Sequence, residues 1–362
     1  MQVLYITYID FEKTESGSSL RPKMMYQAFK DIGINVKLLT GACGFVNKKT
    51  RKQAVKDINL WLDENRPDFC YVENSTYPLM YSCDRRLLSR IYKMEIPIGY
   101  FFRDAYYRFP IEFPPRSGFI NFIKRQILLM MYKRDEKLIN RIASLVYLPS
   151  LEMNKYLGFK IVKALPPAGT NHLNESKDQR EGRTAIYVGG LSGYYKIDEV
   201  LCAFERLNRE SLYRLILVCR ESEYKKTNID ESNFHWLEVC HTSGEGLVPL
   251  YRRASFALIC SDSSYEYNTF AVSVKLYEYM SYGLPILGIT KGEMARVIGE
   301  YDLGLVVEKN VEKIEDGIKT LSRIEINNIY RNNVEKALIN NNLWTHRAKE
   351  VVNDLNKKSK NP

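Results

Sequence analysis

The stretch "SVKLYEYMSYGLPILGIT", residues 273–290, decides how the chain is read. It reads as a helix that stops at Gly283 and turns through Pro285 into a buried strand. Its first turn carries Lys275. The helix dipole and the unpaired backbone N–H groups already make that end positive, so a cation there costs a few tenths of a kcal/mol to about 1 kcal/mol. A broken local rule of this kind often marks function. An anion lying between Lys275 and those N–H groups would remove the conflict, and Glu278 lies one turn along the same face.

Working outward, short β-rich runs alternate with longer amphipathic stretches, the pattern of parallel sheets with crossover helices. Six strands are expected in the first half, at 2–9, 35–40, 68–73, 96–102, 144–149 and 161–165. Residues 166–183 are polar and lack apolar periodicity, which places the inter-domain linker there. A second series follows at 184–189, 214–219, 234–239, 256–260, 285–289 and 304–307, and the pattern is helical beyond about residue 310. The reading is α/β, with two Rossmann-like domains facing across a cleft. Residues 1–168 form the first, 169–340 the second, and a helix over 341–362 returns to the first. Open parallel sheets bind ligands at the carboxyl ends of their strands, so site residues are sought just after strands.

A chain of 362 residues, 45% hydrophobic and 27% charged, has room for two cores. Its seven cysteines form no C-x-x-C pair, and Cys219, Cys240 and Cys260 each end an apolar run, as small hydrophobes do in a reducing compartment. The opening "MQVLYITYI" enters a strand without a basic leader, and the apolar run 127–132 is far short of the ~20 residues that span a bilayer. A cytoplasmic, non-spanning protein is expected. Residues 84–141 hold 13 Lys or Arg against 6 Asp or Glu, which is +7 of the net +10. That regional excess points to an anionic surface or substrate.

Each candidate site has a bland alternative. In "TESGSSLRP" (14–22), Gly17 and Ser18 allow close backbone approach and Arg21 adds a cation, or the stretch is a capped loop before a helix beginning near Pro22. In "YVGGLSGYYKIDEV" (187–200), Gly189 and Gly190 end a strand and Lys196 precedes the next helix; they receive a diphosphate or merely turn the chain. In "FRDAYYRFP" (102–110), Arg103 and Asp104 project toward a substrate or form an internal salt bridge. In 260–280, Ser273 caps the helix, the N–H groups of 273 to 275 cradle a phosphate, Lys275 neutralises it and Glu278 accepts hydrogen bonds from a ribose diol. The alternative, a surface i,i+3 pair worth about 0.2–0.5 kcal/mol, leaves the cation in the first turn unexplained. Arg220 in "VCRES" is a further cation. Of four histidines, His241 follows a strand and borders a base pocket, His172 lies in the linker, His235 inside a strand and His346 in the last helix. No Asp-x-Asp or close histidine pair indicates a metal.

Residues 116–142 read as one long helix with Ile120, Ile123, Ile127, Met130 and Met131 near one face, expected to pack on the first sheet. Arg125, Lys133, Arg134 and Lys137, with Arg85, Arg86 and Arg90, hold that domain against an anionic lipid surface. Nucleic acid ranks lower, because no RNA- or DNA-binding motif accompanies the charge.

The segment "SVKLYEYMSYGLPIL", together with "GSSLRP", "RDAYY" and "YVGGL", resembles the GT-B glycosyltransferases, in particular retaining family 4 (glycosyl transferases group 1), over nearly the whole chain. The resemblance implies transfer of a sugar from a nucleotide diphosphate donor, with retention, to a hydroxyl of a glycan or lipid-linked glycan, with the leaving phosphate taking the acceptor proton. No cofactor and no metal are implied. The donor set becomes Gly17, Ser18, Gly189, Gly190, Lys196, Arg220, His241, Ser273, Val274, Lys275, Leu276 and Glu278, and the acceptor set Arg21, Arg103 and Asp104. Lys275, Glu278 and Asp104 are the catalytic candidates. Phe270 stands where the family has its first glutamate, Gly190 where it has an arginine, Lys196 one place off the usual lysine, and Arg103 in place of a histidine. The alternatives are a nucleotide-sugar epimerase of the same fold and a non-catalytic nucleotide-sugar-binding partner.

Overall fold

The computed structural model describes residues 1–11, 17–41, 48–110, 113–114, 117–175, 180, 182–191, 195, 197–262 and 264–360. The chain divides into two units, Met1–Pro166 with Trp344–Pro362, and Pro167–Leu343. In the first unit the order is β1 (Gln2–Thr7), α1 (Gly17–Asp31), β2 (Asn35–Leu39), α2 (Lys48–Glu64), β3 (Phe69–Glu73), α3 (Ser82–Lys93), β4 (Ile98–Phe101), α4 (Phe119–Ile142), β5 (Leu145–Leu148), α5 (Asn154–Leu157) and β6 (Val162–Ala164). The strands form one sheet, β2-β1-β3-β4-β5-β6, with every neighbouring pair parallel. Runs such as "FCYVE" and "IGYF" are buried at every position, as parallel strands covered on both faces must be.

The second unit runs β7 (Thr184–Val188), α6 (Asp198–Leu207), β8 (Arg214–Val218), α7 (Glu221–Tyr224), β9 (Leu237–Cys240), α8 (Val248–Arg253), β10 (Phe256–Cys260), α9 (Tyr267–Phe270), α10 (Val274–Ser281), β11 (Ile286–Ile289), α11 (Gly292–Glu300), β12 (Gly304–Val306), α12 (Val311–Leu321) and α13 (Ile324–Asn341). Its sheet, β12-β11-β10-β7-β8-β9, is also parallel throughout. In each sheet the first strand sits inside, so the order reverses beside it, at β1/β3 and at β7/β10. Those reversals are the topological switch points where open sheets take their ligands. A last helix, α14 (Trp344–Lys360), belongs to the first unit. The Tyr147 hydroxyl donates to Asp354 at 3.2 Å, and Lys163 pairs with Asp354 and Glu350 at 2.9 and 2.8 Å.

Several expectations change. The first unit ends at Pro166, and 167–175 is not a free linker but part of the second unit. Thr170 N–H donates to Ser281 Oγ at 2.9 Å, His172 N–H to the Ser281 carbonyl at 3.0 Å, and the His172 ring stacks on Tyr282. The return to the first unit begins at Trp344, because α13 packs with α10 through Val334, Ala337 and Leu338. Helix α1 starts at Gly17, so Pro22 lies inside it. Phe234 and Trp236 pack ring to ring ahead of β9, which leaves His235 before the strand, exposed. The apolar stripe of α4 does not pack on the sheet: Phe119 is 77% and Met130 61% exposed. Among the described residues, no helix is long and apolar enough to cross a membrane.

Helix α10 is held at both ends. Ser273, extended at φ −76°, ψ 134°, accepts the Lys275 N–H on its hydroxyl. At the other end Gly283 takes φ +62°, so that its own N–H reaches the Met280 carbonyl and the Leu284 N–H the Tyr279 carbonyl. This paired closure needs a left-handed residue, which glycine adopts without strain.

Candidate functional site

Packing carries α10 to the switch point of the second sheet. Leu276, Tyr277, Tyr279 and Met280 are buried, and the Tyr279 hydroxyl accepts the Val188 N–H at the end of β7 (2.9 Å). Lys275 and Glu278 are left on the accessible side. Lys275 Nζ lies 2.7 Å from Glu278 Oε2, with side chains 30% and 22% exposed. The Tyr251 hydroxyl, from α8, donates to Glu278 Oε1 at 2.9 Å and lies 3.4 Å from Lys275 Nζ. Burial, with the Glu278 carboxylate beside it, pushes the Tyr251 phenol well above its ordinary value, so it stays a donor. Of the three N–H groups expected to cradle a phosphate, that of Lys275 is already bound to Ser273 Oγ; Val274 follows the cap, and the Leu276 side chain is buried.

Three loops reach the same end of the sheet. The Gly189–Gly190 turn is tied down by Gly189 N–H to the Val218 carbonyl (3.0 Å) and by the Tyr187 hydroxyl to the Gly190 carbonyl (2.8 Å). A Cβ on Gly189 would lie 2.7 Å from the Tyr187 hydroxyl, so this glycine is required by the tyrosine beneath it. Glu223 accepts the Leu191 N–H and pairs with Arg220, both at 2.9 Å, while the Arg220 side chain is mostly exposed. His241 places Nδ1 3.0 Å from the Cys219 carbonyl. Lys196 lies outside the described residues, and so do the surroundings of Gly17 and the side chain of Ser18. Phe270 is buried, packed edge to face on Tyr267, so the place of the family's first glutamate is core here.

The acceptor candidates lie in the first unit, as do Gly17 and Ser18 of the donor set, whereas the rest of the donor set belongs to the second. Arg21 is buried: Nε sits 3.3 Å from Glu73 Oε1, Nη1 donates to the Pro166 carbonyl at 3.1 Å, and the guanidinium lies 3.7 Å above the Phe101 ring. Glu73 ends β3 at the switch point, in register with Thr7, and also accepts the Tyr71 hydroxyl at 2.9 Å. Burial pushes its carboxyl up, against the pull of Arg21 and Tyr71. Asp104 is buried too, with Oδ2 4.0 Å from Arg103 Nε and no hydrogen bond to that oxygen among the described residues. Burial raises its pKa, opposed by Arg103, the Thr76 side chain and the Tyr106 backbone. Among the described residues, no three His, Cys, Asp or Glu side chains converge as metal ligands would.

Tyr251, Glu223 and Glu73 were not singled out in the sequence. Glu223 stands at i+3 from Arg220, which spacing could have shown, but the partners Leu191 of Glu223, Arg21 of Glu73 and Glu278 of Tyr251 all come from distant elements.

Residues 182–323 match the family described as Glycosyl transferases group 1. No curated protein sequence matches the chain. Among solved structures it is similar to a glycosyltransferase from Rickettsia africae, with a TM-score of 0.69 and 11% identity over 100% of this chain and 99% of that one. It is also similar to HepE from Anabaena, solved with UDP and glucose (TM-score 0.60, 13% identity, 98% of each chain). A third is an alpha-glucosyltransferase solved with UDP and a 13-mer DNA (TM-score 0.63, 13% identity, 98% and 99%). Identities this low carry the fold, and the fold they share is the one assembled above. The chain thus has the GT-B fold of these glycosyltransferases, and within its second unit residues 182–323 match the model of Glycosyl transferases group 1.

Proposed function

We propose that the chain moves a sugar, with retention, from a nucleotide diphosphate donor to a hydroxyl of a glycan or lipid-linked glycan, working peripherally on the cytoplasmic face of an anionic membrane. The carrying observation is the half-buried Lys275–Glu278 pair at the start of α10, with Tyr251 behind it. Tyr251 holds Oε1, which leaves Oε2 as the exchangeable oxygen. When a ribose diol takes Oε2, the Lys275 ammonium is released from it. Its nearest new partner is the donor diphosphate at the helix N-terminus, where the dipole also favours an anion. The conflict of a cation in the first turn is thereby relieved in both states, first by Glu278 and then by phosphate.

As the glycosidic bond to the diphosphate breaks, negative charge grows on the leaving group. Lys275 and the N–H groups ahead of α10 face that charge, with exposed Arg220 as a further cation; preorganised donors of this type are worth about 2.7–4 kcal/mol each. The departing phosphate accepts the acceptor's hydroxyl proton, so no further base is required. The UDP held by HepE and by the alpha-glucosyltransferase supports a nucleoside diphosphate donor. Asp104, with Arg103, orients the acceptor in the first unit; Arg21 serves it by shaping the strand ends through Glu73.

Purified protein is incubated with UDP and GDP sugars, and free nucleoside diphosphate is measured. Release that rises with added glycan acceptor is the expected result. An isomerised sugar identifies an epimerase, and binding without turnover identifies a non-catalytic partner; either outcome replaces this reading.

A further inference from the structure

The C-terminal half of α4 packs on the first unit through Tyr132, Leu138, Ile139 and Ile142, whereas the half from Phe119 to Met130 is largely exposed. Phe119, Ile123, Ile127 and Met130 follow one another at spacings of four, four and three residues, so they share one face. The same face continues without a break as Arg134, Lys137 and Arg141. One stripe therefore runs the length of the helix, about 33 Å at 1.5 Å per residue. It is apolar in the first half and cationic in the second.

The cationic half forms one wall of a groove of about 400 Å³; Arg85 and Arg86 of α3 form the other, with Ser82 and Ser89. Among the described residues, no acid of either helix lines it. Asp84 is buried against Arg51, Asp135 accepts the Leu79 N–H and pairs with Arg134, and Glu136 is bound by Arg108 and Tyr107. Arg86, Lys137 and Arg141 make no ion pair among the described residues and are exposed. A monomer in water rarely displays so much contiguous apolar surface. Three exposed cations without an ion pair among the described residues, flanked by Arg85 and the Asp135-bound Arg134, ask for a polyanion.

We propose that this stripe is a lipid-docking surface, in which the apolar half of α4 lies among the acyl chains of a bilayer and the α3/α4 groove holds the phosphates of anionic lipids. The inference rests on the peripheral reading above and names the surface and the ligand chemistry. Charge complementarity decides the occupant. Anionic phospholipid supplies phosphate and hydrocarbon side by side, in the order in which the stripe presents its partners. A nucleic acid would satisfy the groove but leave Phe119, Ile123, Ile127 and Met130 in water.

The test is flotation of the full chain with phosphatidylcholine vesicles, with and without phosphatidylglycerol, at low and high salt. Wild type should float with the anionic vesicles. R86Q/K137Q/R141Q should bind them at least about tenfold more weakly. I123Q/I127Q should still bind at low salt but be released completely by high salt. Thermal unfolding of both variants should match wild type, because the substituted side chains are exposed or half-exposed. If wild type does not float, the peripheral reading and the inference both fall. If wild type floats and the triple variant floats equally well, the peripheral reading stands and the groove is overturned. A triple-variant defect seen with an oligonucleotide but not with vesicles assigns the groove to nucleic acid and likewise overturns the proposal.

Discussion

Each unit has a cation–carboxylate pair at the switch point of its sheet, and the two pairs differ in what they are free to do. In the first unit Arg21 and Glu73 are 6% and 1% exposed, pinned by Tyr71, Phe101 and the Pro166 carbonyl. In the second, Lys275 and Glu278 are 30% and 22% exposed and, among the described residues, share only the Tyr251 hydroxyl. A buried pair has no solvent to replace its partner, so neither member can leave without stranding a charge. A half-buried pair can exchange its partner for a ligand, because water covers the intermediate arrangement. The same chemistry is structural in one place and available to substrate in the other.

The largest expected effect breaks the buried pair. Glu73→Ala leaves Arg21 charged and uncompensated and should cost about 3–5 kcal/mol of stability by denaturant unfolding. A loss under about 1 kcal/mol would remove the distinction between the units. Lys275→Ala should leave stability nearly unchanged yet lower kcat by about 10²–10³, the size seen when one preorganised donor to a developing charge is removed. A change confined to KM would contradict its role at the leaving group. Next comes Glu278→Gln, which keeps the shape but loses a charge-assisted acceptor; donor affinity should fall by about 1.5–3 kcal/mol in calorimetry. Unchanged affinity would take Glu278 out of the site.

The smallest effect sharpens the contrast through pH. Burial raises the folded pKa of Asp104, so between its ordinary and its raised value the folded state binds more protons than the unfolded state. Stability from this group is therefore greatest at low pH and declines as pH rises through that window, by at most about 1.4 kcal/mol per pH unit. The stability of wild type minus that of Asp104→Asn should fall across that range. A difference that rises with pH would mean that Arg103, rather than burial, governs the carboxylate.

The order of strands and helices was legible because parallel strands buried on both faces must be continuously apolar, as "FCYVE" and "FALIC" are. The ends of α10 were legible because Ser273 and Gly283 act on their own backbone within a few residues. So was the adjacency of Lys275 and Glu278, which helical spacing imposes. Strand edges shifted where side chains preferred to pack on one another, as Phe234 and Trp236 do ahead of β9.

What the local sequence determined on its own was thus period, capping and spacing, all of which act over one or two turns. Tertiary structure alone decided which charges were usable. Arg21 and Lys275 look alike as cations in the opening turns of helices that follow strands, yet Arg21 is enclosed by Glu73, Phe101 and Trp344, residues 52 to 323 positions away. It also decided that Tyr251 stands behind Glu278 and that half of α4 meets no sheet. Periodicity shows that a helix has an apolar face, but whether that face has a partner depends on where the rest of the chain lies.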